Sequence, residues 1–362
     1  MRRQISAAIL TSVITVLSLC LFPTGAQAAT AKIILLEAPH TDLLGVSLNS
    51  ELSASLLPSG GLGQLVYTPA SKPRTWLIDA ALIDEVTALA TKDVSAQSWL
   101  SQLKTISVDD TVLALPYGHP DISLANRLAP SELTYYYDSS KIRLQIALGR
   151  DVLVERGVRW TTINTKVIAD AVHSYTIDRR AIALLSTVVP AQQLDDLRSK
   201  LAFLLSSGST TKRQEYFAHN ADLAIAAANH KLRIIPGKYR LTSQHEKVPI
   251  TVVNDFSAPV KVILQLTPLN SRIKVGGPET VSLAANSKTQ LSVPFTVIAS
   301  GSTAVLAEFR NTRGKPLGDS VILTLSLSVI SPAVAWFTTG AAILLFLAAI
   351  TQSVRRVRRS RK

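Results

Sequence analysis

From Ser320 to Val354 the chain carries no charged residue, and six cations crowd into the eight residues that follow. Within this run Ala333–Ile350 is apolar except for Thr338, Thr339 and Gly340, with no alternation of polar and apolar positions. With its flanks it reaches the roughly 20 residues that a bilayer-spanning helix needs. Trp336 lies at the outer end, where aromatic rings favour the headgroup layer, and the cations at the other end follow the positive-inside rule. The sequence therefore predicts one C-terminal transmembrane helix over 332–354 and a basic cytoplasmic tail over 355–362 that touches anionic lipid. A buried core helix is the competing reading, but a terminal core helix has no reason to end in six cations.

The other end reads as a secretory signal over 1–28. Arg2 and Arg3 precede the uncharged, mostly apolar Ala7–Phe22, and Ala26-Gln27-Ala28 supplies the small-residue cleavage site. Leu19 stands where a lipoprotein signal needs a small residue before Cys20, and the arginine pair lacks the flanks of a twin-arginine signal. Cys20 is the sole cysteine and leaves with the signal, so the mature chain has no disulfide, no zinc–cysteine site and no thiol nucleophile. The expected location is the cell membrane, single-pass, with the bulk extracellular and the C-terminus cytoplasmic.

Between these ends the charge is modest. Removing the eight terminal cations from the 38 Lys and Arg leaves 30 against 25 acids. No basic stripe interleaved with aromatics occurs, and nucleic acid is excluded as a partner. At 47% hydrophobic and 17% charged residues, the chain is not disordered either.

Two textures divide the exterior. Over 29–237, the apolar runs Ile33–Leu36, Trp76–Ile78, Val112–Leu115 and Ile182–Val189 read as buried strands. Helical spacing fills Ala81–Ala90, Ala96–Lys104, Ser131–Leu148, Thr165–Tyr175 and Ala191–Leu205. Strands alternating with helices predict an α/β domain, barrel-like, with a mainly parallel sheet. Over 238–330, about seven short strands punctuated by Asn254-Asp255, Gly276-Gly277, Asn286, Ser300-Gly301 and Arg313-Gly314 predict an immunoglobulin-like β-sandwich without its cysteine pair.

Three stretches together resemble an uncharacterised family of membrane-anchored exported proteins from actinobacteria. They are Leu35–His40 with the Pro58-Ser59-Gly60-Gly61 core, Trp76–Glu85 with Val112–Asp121, and Val248–Asp255 leading into the sandwich and basic tail. Where relatives carry Asp-Pro after the strand this chain has Asp79-Ala80, and His119 replaces an acidic residue in the Pro-Tyr loop. The resemblance implies a barrel distantly like glycoside hydrolases and deacetylases, and a gene commonly beside the lipid II flippase. Cell-envelope work follows by association only.

The candidate cleft is His40, Asp79, His119 and Asp121, all at the C-terminal ends of predicted strands, where loops converge around ligands. A carboxylate with two imidazoles could hold a catalytic metal, and Asp79 with Asp121 could flank a glycosidic bond. Helix capping by Asp79 and turn chemistry in His119-Pro120-Asp121 explain the same residues without catalysis. No Gly-x-Ser-x-Gly, His-Glu-x-x-His or phosphate-binding glycine loop is present. His173, His219, His230 and His245 are scattered, and Tyr135-Tyr136-Tyr137 reads as packing at a helix start. The sequence thus leans away from an enzyme and calls for no cofactor and no metal. It points to non-enzymatic binding or scaffolding in cell-envelope assembly, with an envelope glycan or membrane protein as partner. The alternative is a carbohydrate-active hydrolase or deacetylase near the membrane.

Overall fold

A computed structural model describes residues 30–157, 160, 166–206, 208–328 and 332–359, with side chains in the last segment described for 336–337 and 339–353. The signal expected over 1–28 and the tail residues 360–362 lie outside the described residues.

The N-terminal half opens with β1 (Ala31–Leu35), α1 (Glu51–Leu56), α2 (Gly61–Tyr67), β2 (Arg74–Ile78), α3 (Ala80–Leu89), α4 (Val94–Ile106) and β3 (Thr111–Ala114). The three strands form one parallel sheet in the order β1-β2-β3. Alternate residues serve its two faces. Ile33, Leu35, Trp76, Ile78 and Val112 enter the main core, while Leu77, Leu113 and Leu115 pack on the other side with Ile34, Leu36 and Trp160. Acidic caps start the helices: the Asp79 and Asp93 carboxylates accept from Ala81 N–H and Ser95 N–H.

The remainder of this half is helical: α5 (Ile122–Leu128), α6 (Pro130–Leu148), α7 (Ala169–Leu185), α8 (Asp195–Lys200) between short 3-10 turns at Ala191–Gln193 and Leu201–Leu205, and α9 (Thr211–His230). Pro130 begins α6 where its missing N–H costs nothing, and Gly149 ends it at φ 68 in the left-handed region.

The expected barrel-like α/β domain is therefore corrected. A barrel closes eight strands; this sheet has three and stays open. The run Ile182–Val189, read as a strand, is instead the end of α7 and the loop after it. Its apolar residues suit a helix buried against α9 as well as a strand, and local pattern does not separate the two.

Two sheets follow. Their strands are β4 (Leu232–Ile234), β5 (Lys238–Leu241), β6 (His245–Asn254), β7 (Val260–Pro268), β8 (Ile273–Val275), β9 (Glu279–Leu283), β10 (Ser287–Val297), β11 (Gly301–Arg310) and β12 (Pro316–Leu327). One sheet runs β4-β6-β10-β8 and the other β5-β12-β11-β7-β9, antiparallel except where β5 lies along β12. Inward residues alternate, as Val305, Ala307 and Phe309 do on β11 and Leu323, Leu325 and Leu327 on β12. This is an immunoglobulin-like sandwich.

The halves share a core. Only Lys231 separates α9 from β4, and its carbonyl accepts from Asp255 N–H at 2.8 Å. Asn311 Nδ2 donates to Thr187 Oγ1 at 3.0 Å, and one buried apolar cluster runs from Ile33 to Leu327.

The transmembrane helix expected over 332–354 is the second correction. A helix, α10 (Pro332–Arg359), occupies the segment, with Trp336, Phe337, Leu344 and Phe346 exposed. Among the described residues, however, no helix is long and apolar enough to cross a membrane.

Candidate functional site

Parallel pairing of β2 with β3 brings their C-terminal ends side by side, and the loops after them carry Asp79 and His119. Leu115 N–H donates to Ile78 O at 2.9 Å, and the chain then turns through Pro116–Pro120. Gly118 sits at φ 68, and a Cβ there would lie 2.7 Å from Phe203 Cδ1, so only glycine fits. His119 adopts φ 40, a left-handed conformation uncommon outside glycine.

That turn presses the imidazole onto Asp79. His119 Nδ1 lies 2.8 Å from Asp79 Oδ2, and Asp79 Oδ1 accepts from Ala81 N–H at 2.9 Å and Gly118 N–H at 3.0 Å. Asp79 is 1% exposed and His119 7%. The carboxylate thus caps α3, pins the glycine turn and orients the ring. Burying a charge this deeply is tolerable because every bond it needs is supplied.

The other two candidates do not join the pair. The Asp121 carboxylate accepts from Leu124 N–H at 2.8 Å to cap α5, while its own N–H donates to Leu205 O at 2.7 Å. His40 belongs to a separate network over α3. Its backbone N–H and that of Thr41 bond the Glu85 carboxylate, its Nδ1 reaches Asn49 Oδ1 at 2.9 Å, and its Nε2 lies 3.5 Å from Glu37 Oε2. Burial opposes protonation of this ring, but the bonds to Glu37 and Asn49 and the charge of Glu85 raise its pKa above the ordinary imidazole value. Burial also raises the Glu85 carboxyl, partly offset by the Thr41 and His40 bonds.

Sequence reading missed three further polar groups. Asp42, 3% exposed, accepts from Asn220 Nδ2 and Tyr216 Oη and ties the loop after β1 to α9. Asp84 takes Arg143 Nη1 at 2.6 Å and Tyr117 Oη at 3.2 Å, with the guanidinium 5.0 Å from the Tyr117 ring centre. Glu132 takes both Nε and Nη2 of Arg198.

Beside Asp121 opens a cleft of about 820 Å³ whose polar lining includes Asp121, Ser123, Arg127, Lys166 and Thr211. Arg127 and Lys166 are exposed and have no ion-pair partner among the described residues. No group of three or more His, Cys, Asp or Glu among the described residues could hold a metal ion.

DUF6049, a family of unknown function, matches residues 77–362, a span that takes in both Asp79 and His119 and the whole sandwich. The chain belongs to this family. No curated protein matches the DUF6049 chain. Among solved structures it is similar to Escherichia coli alpha-2-macroglobulin at 15% identity and TM-score 0.22, covering 26% of this chain and only 6% of that one. It is also similar to the ASH/PapD-like domain of human CEP192, at 14% identity and TM-score 0.22 over 28% of this chain and 85% of that domain. A third is WR4, a Caenorhabditis elegans MSP family member, at 10% identity and TM-score 0.21 over 27% of this chain and 97% of that one. Scores this low carry no function across.

Proposed function

We propose that this DUF6049 chain is a non-enzymatic binding or scaffolding component of cell-envelope assembly, acting on peptidoglycan or another envelope glycan, or on a membrane protein partner. The observation that carries the reading is the commitment of Asp79. Both its oxygens are held by Ala81 N–H, Gly118 N–H and the His119 ring, so this carboxylate braces two loops rather than attacking or protonating a substrate. A glycosidase needs two carboxyls flanking one bond, roughly 5–9.5 Å apart, and Asp121 is spent on the first turn of α5.

The signal-like N-terminus and the resemblance to exported actinobacterial proteins encoded beside the lipid II flippase support work outside the cell. The cations of Arg355–Lys362 supply attraction to anionic lipid at the membrane surface. The test is direct. The purified chain should co-sediment with insoluble cell-wall glycan and release neither reducing ends nor acetate from it. Release of either product above the level of a heat-treated control overturns the reading in favour of the hydrolase or deacetylase.

A further inference from the structure

Eight buried side-chain nitrogen and oxygen atoms have no hydrogen-bond partner among the described residues, and four of them lie between Ser206 and Arg213: Ser206 Oγ, Ser209 Oγ, and Arg213 Nε and Nη2. Ser206 is fully buried and Ser209 is 2% exposed. Native proteins pair almost all such groups, so four within eight residues mark a place built to hold something polar.

The geometry at Gly208 shows where Ser206 meets His119. A Cβ built on it would lie 3.8 Å from His119 Nε2 and 4.0 Å from Ser206 Oγ, with no other heavy atom within 4 Å apart from its chain neighbours. His119 faces this point because Asp79 grips its other nitrogen. Nε2 is the ring nitrogen left facing this point.

The sign of the ligand follows from the surroundings. The Ser206–Arg213 segment leads into α9, a 20-residue helix capped by Thr210, and Arg213 sits in its first turn. The positive end of the helix dipole favours negative charge there. Arg213 has no carboxylate partner among the described residues, and its guanidinium offers the donor fork that suits oxyanions. Asp121, bonded to Leu205, and Thr211 both line the adjoining cleft, whose rim carries Arg127 and Lys166.

We infer that His119, Ser206, Ser209 and Arg213 form a binding site for an oxyanion, the phosphate or carboxylate of a ligand whose remainder lies in the cleft beside α5. The inference deepens the binding reading above and rests on it for the ligand's biological role. Its test does not depend on that role.

Titration calorimetry of the full chain at fixed ionic strength, with inorganic phosphate in one arm and acetate in the other, reads the site directly. Saturable binding of phosphate alone assigns a phosphate ligand, and of acetate alone a carboxylate ligand. Gly208→Ala places a methyl at ordinary contact distance from His119 and Ser206, which lets the chain fold while occupying the point between them. It should weaken binding at least about tenfold with an unchanged melting temperature, and Arg213→Gln should do the same. No saturable binding of either anion, or binding that both variants leave intact, overturns the inference. If anions bind but deletion of the gene leaves envelope assembly untouched, the site stands and the functional reading falls. If no anion binds while the chain still sediments with envelope glycan, the site alone falls.

Discussion

Asp178 is a carboxyl on α7 with 2% exposure, an unpartnered Oδ2 and the charge of Asp222 on α9 nearby. Burial first, and then Asp222, push its pKa from the ordinary 3.8 up to about 7. The folded chain therefore holds a proton that the unfolded chain releases near pH 4. Stability falls as pH rises through the window from about 4 to 7, because the native state binds more protons there. At 1.36 kcal/mol per pK unit the full penalty at pH 8 is about 4 kcal/mol, and side-chain movement toward water reduces it to about 2 kcal/mol. Asp178→Asn removes the charge and keeps the shape of the protonated acid. At pH 8 its melting temperature should exceed wild type by roughly 4–8 °C, taking ~2–4 °C per kcal/mol. At pH 4 the two should melt together, since both are then neutral. Near-UV circular dichroism in matched buffers gives the comparison, and the difference between the two pH values cancels any packing cost common to both. Equal gains at both pH values, or a loss at pH 8, would refute the buried-acid argument.

Gly118→Ala should lose about 3 kcal/mol in urea unfolding, since its methyl meets the Phe203 ring in a left-handed conformation; a variant as stable as wild type removes the steric reading of this turn. His40→Gln should destabilise the chain more at pH 5.5 than at pH 8. A raised imidazole pKa contributes stability that is present below the unfolded value and lost as pH rises through the folded one, so a pH-independent loss counts against it. Replacing Arg355, Arg356, Arg358 and Arg359 by Gln should weaken binding to phosphatidylserine vesicles by about 4 kcal/mol, or about a thousandfold, at ~1 kcal/mol per cation. Binding unchanged by these substitutions or by added salt removes the electrostatic role of the tail.

The legible part of the N-terminal half was local. Each strand of its sheet holds a short apolar run that ends near Pro, His or Asp, and Asp79 could be read as a cap because capping depends on the next two residues alone. The sequence grouped Asp79 and His119 with His40 and Asp121; the structure brings only the first two into contact, because β2 and β3 are parallel neighbours. Long-range choices were not. Ile182–Val189 offers the same apolar run to a strand or to a buried helix, and its packing against α9 decides for the helix. His40 follows β1 much as Asp79 follows β2, yet the loop turns over α3 because Glu85 binds two of its backbone N–H groups. Ser206, Ser209 and Arg213 carry no spacing signal at all; their unpartnered atoms become visible only once their neighbours are placed.

In open α/β sheets the crevice beyond the C-terminal strand ends is where ligands bind, because loops from neighbouring strands diverge around it. Here that crevice is largely filled by the chain itself. Phe203 stacks on Tyr117 with ring centres 6.0 Å apart and tilts against Phe217 at 5.7 Å, Pro120 bridges to Ser206, and Leu205 O takes Asp121 N–H. An apolar plug of this kind excludes a polymer from the Asp79 carboxylate. It also accounts for polar groups gathering at its edge. The plug is apolar through Leu205, and the hydroxyls of Ser206 and Ser209 and the Arg213 guanidinium follow it in the chain. On the proposed reading, the anion lies beside these sealed strand ends, next to the segment that leads into α9. Residues of α5, α7 and α9, rather than a ring of barrel loops, build the walls of the cleft.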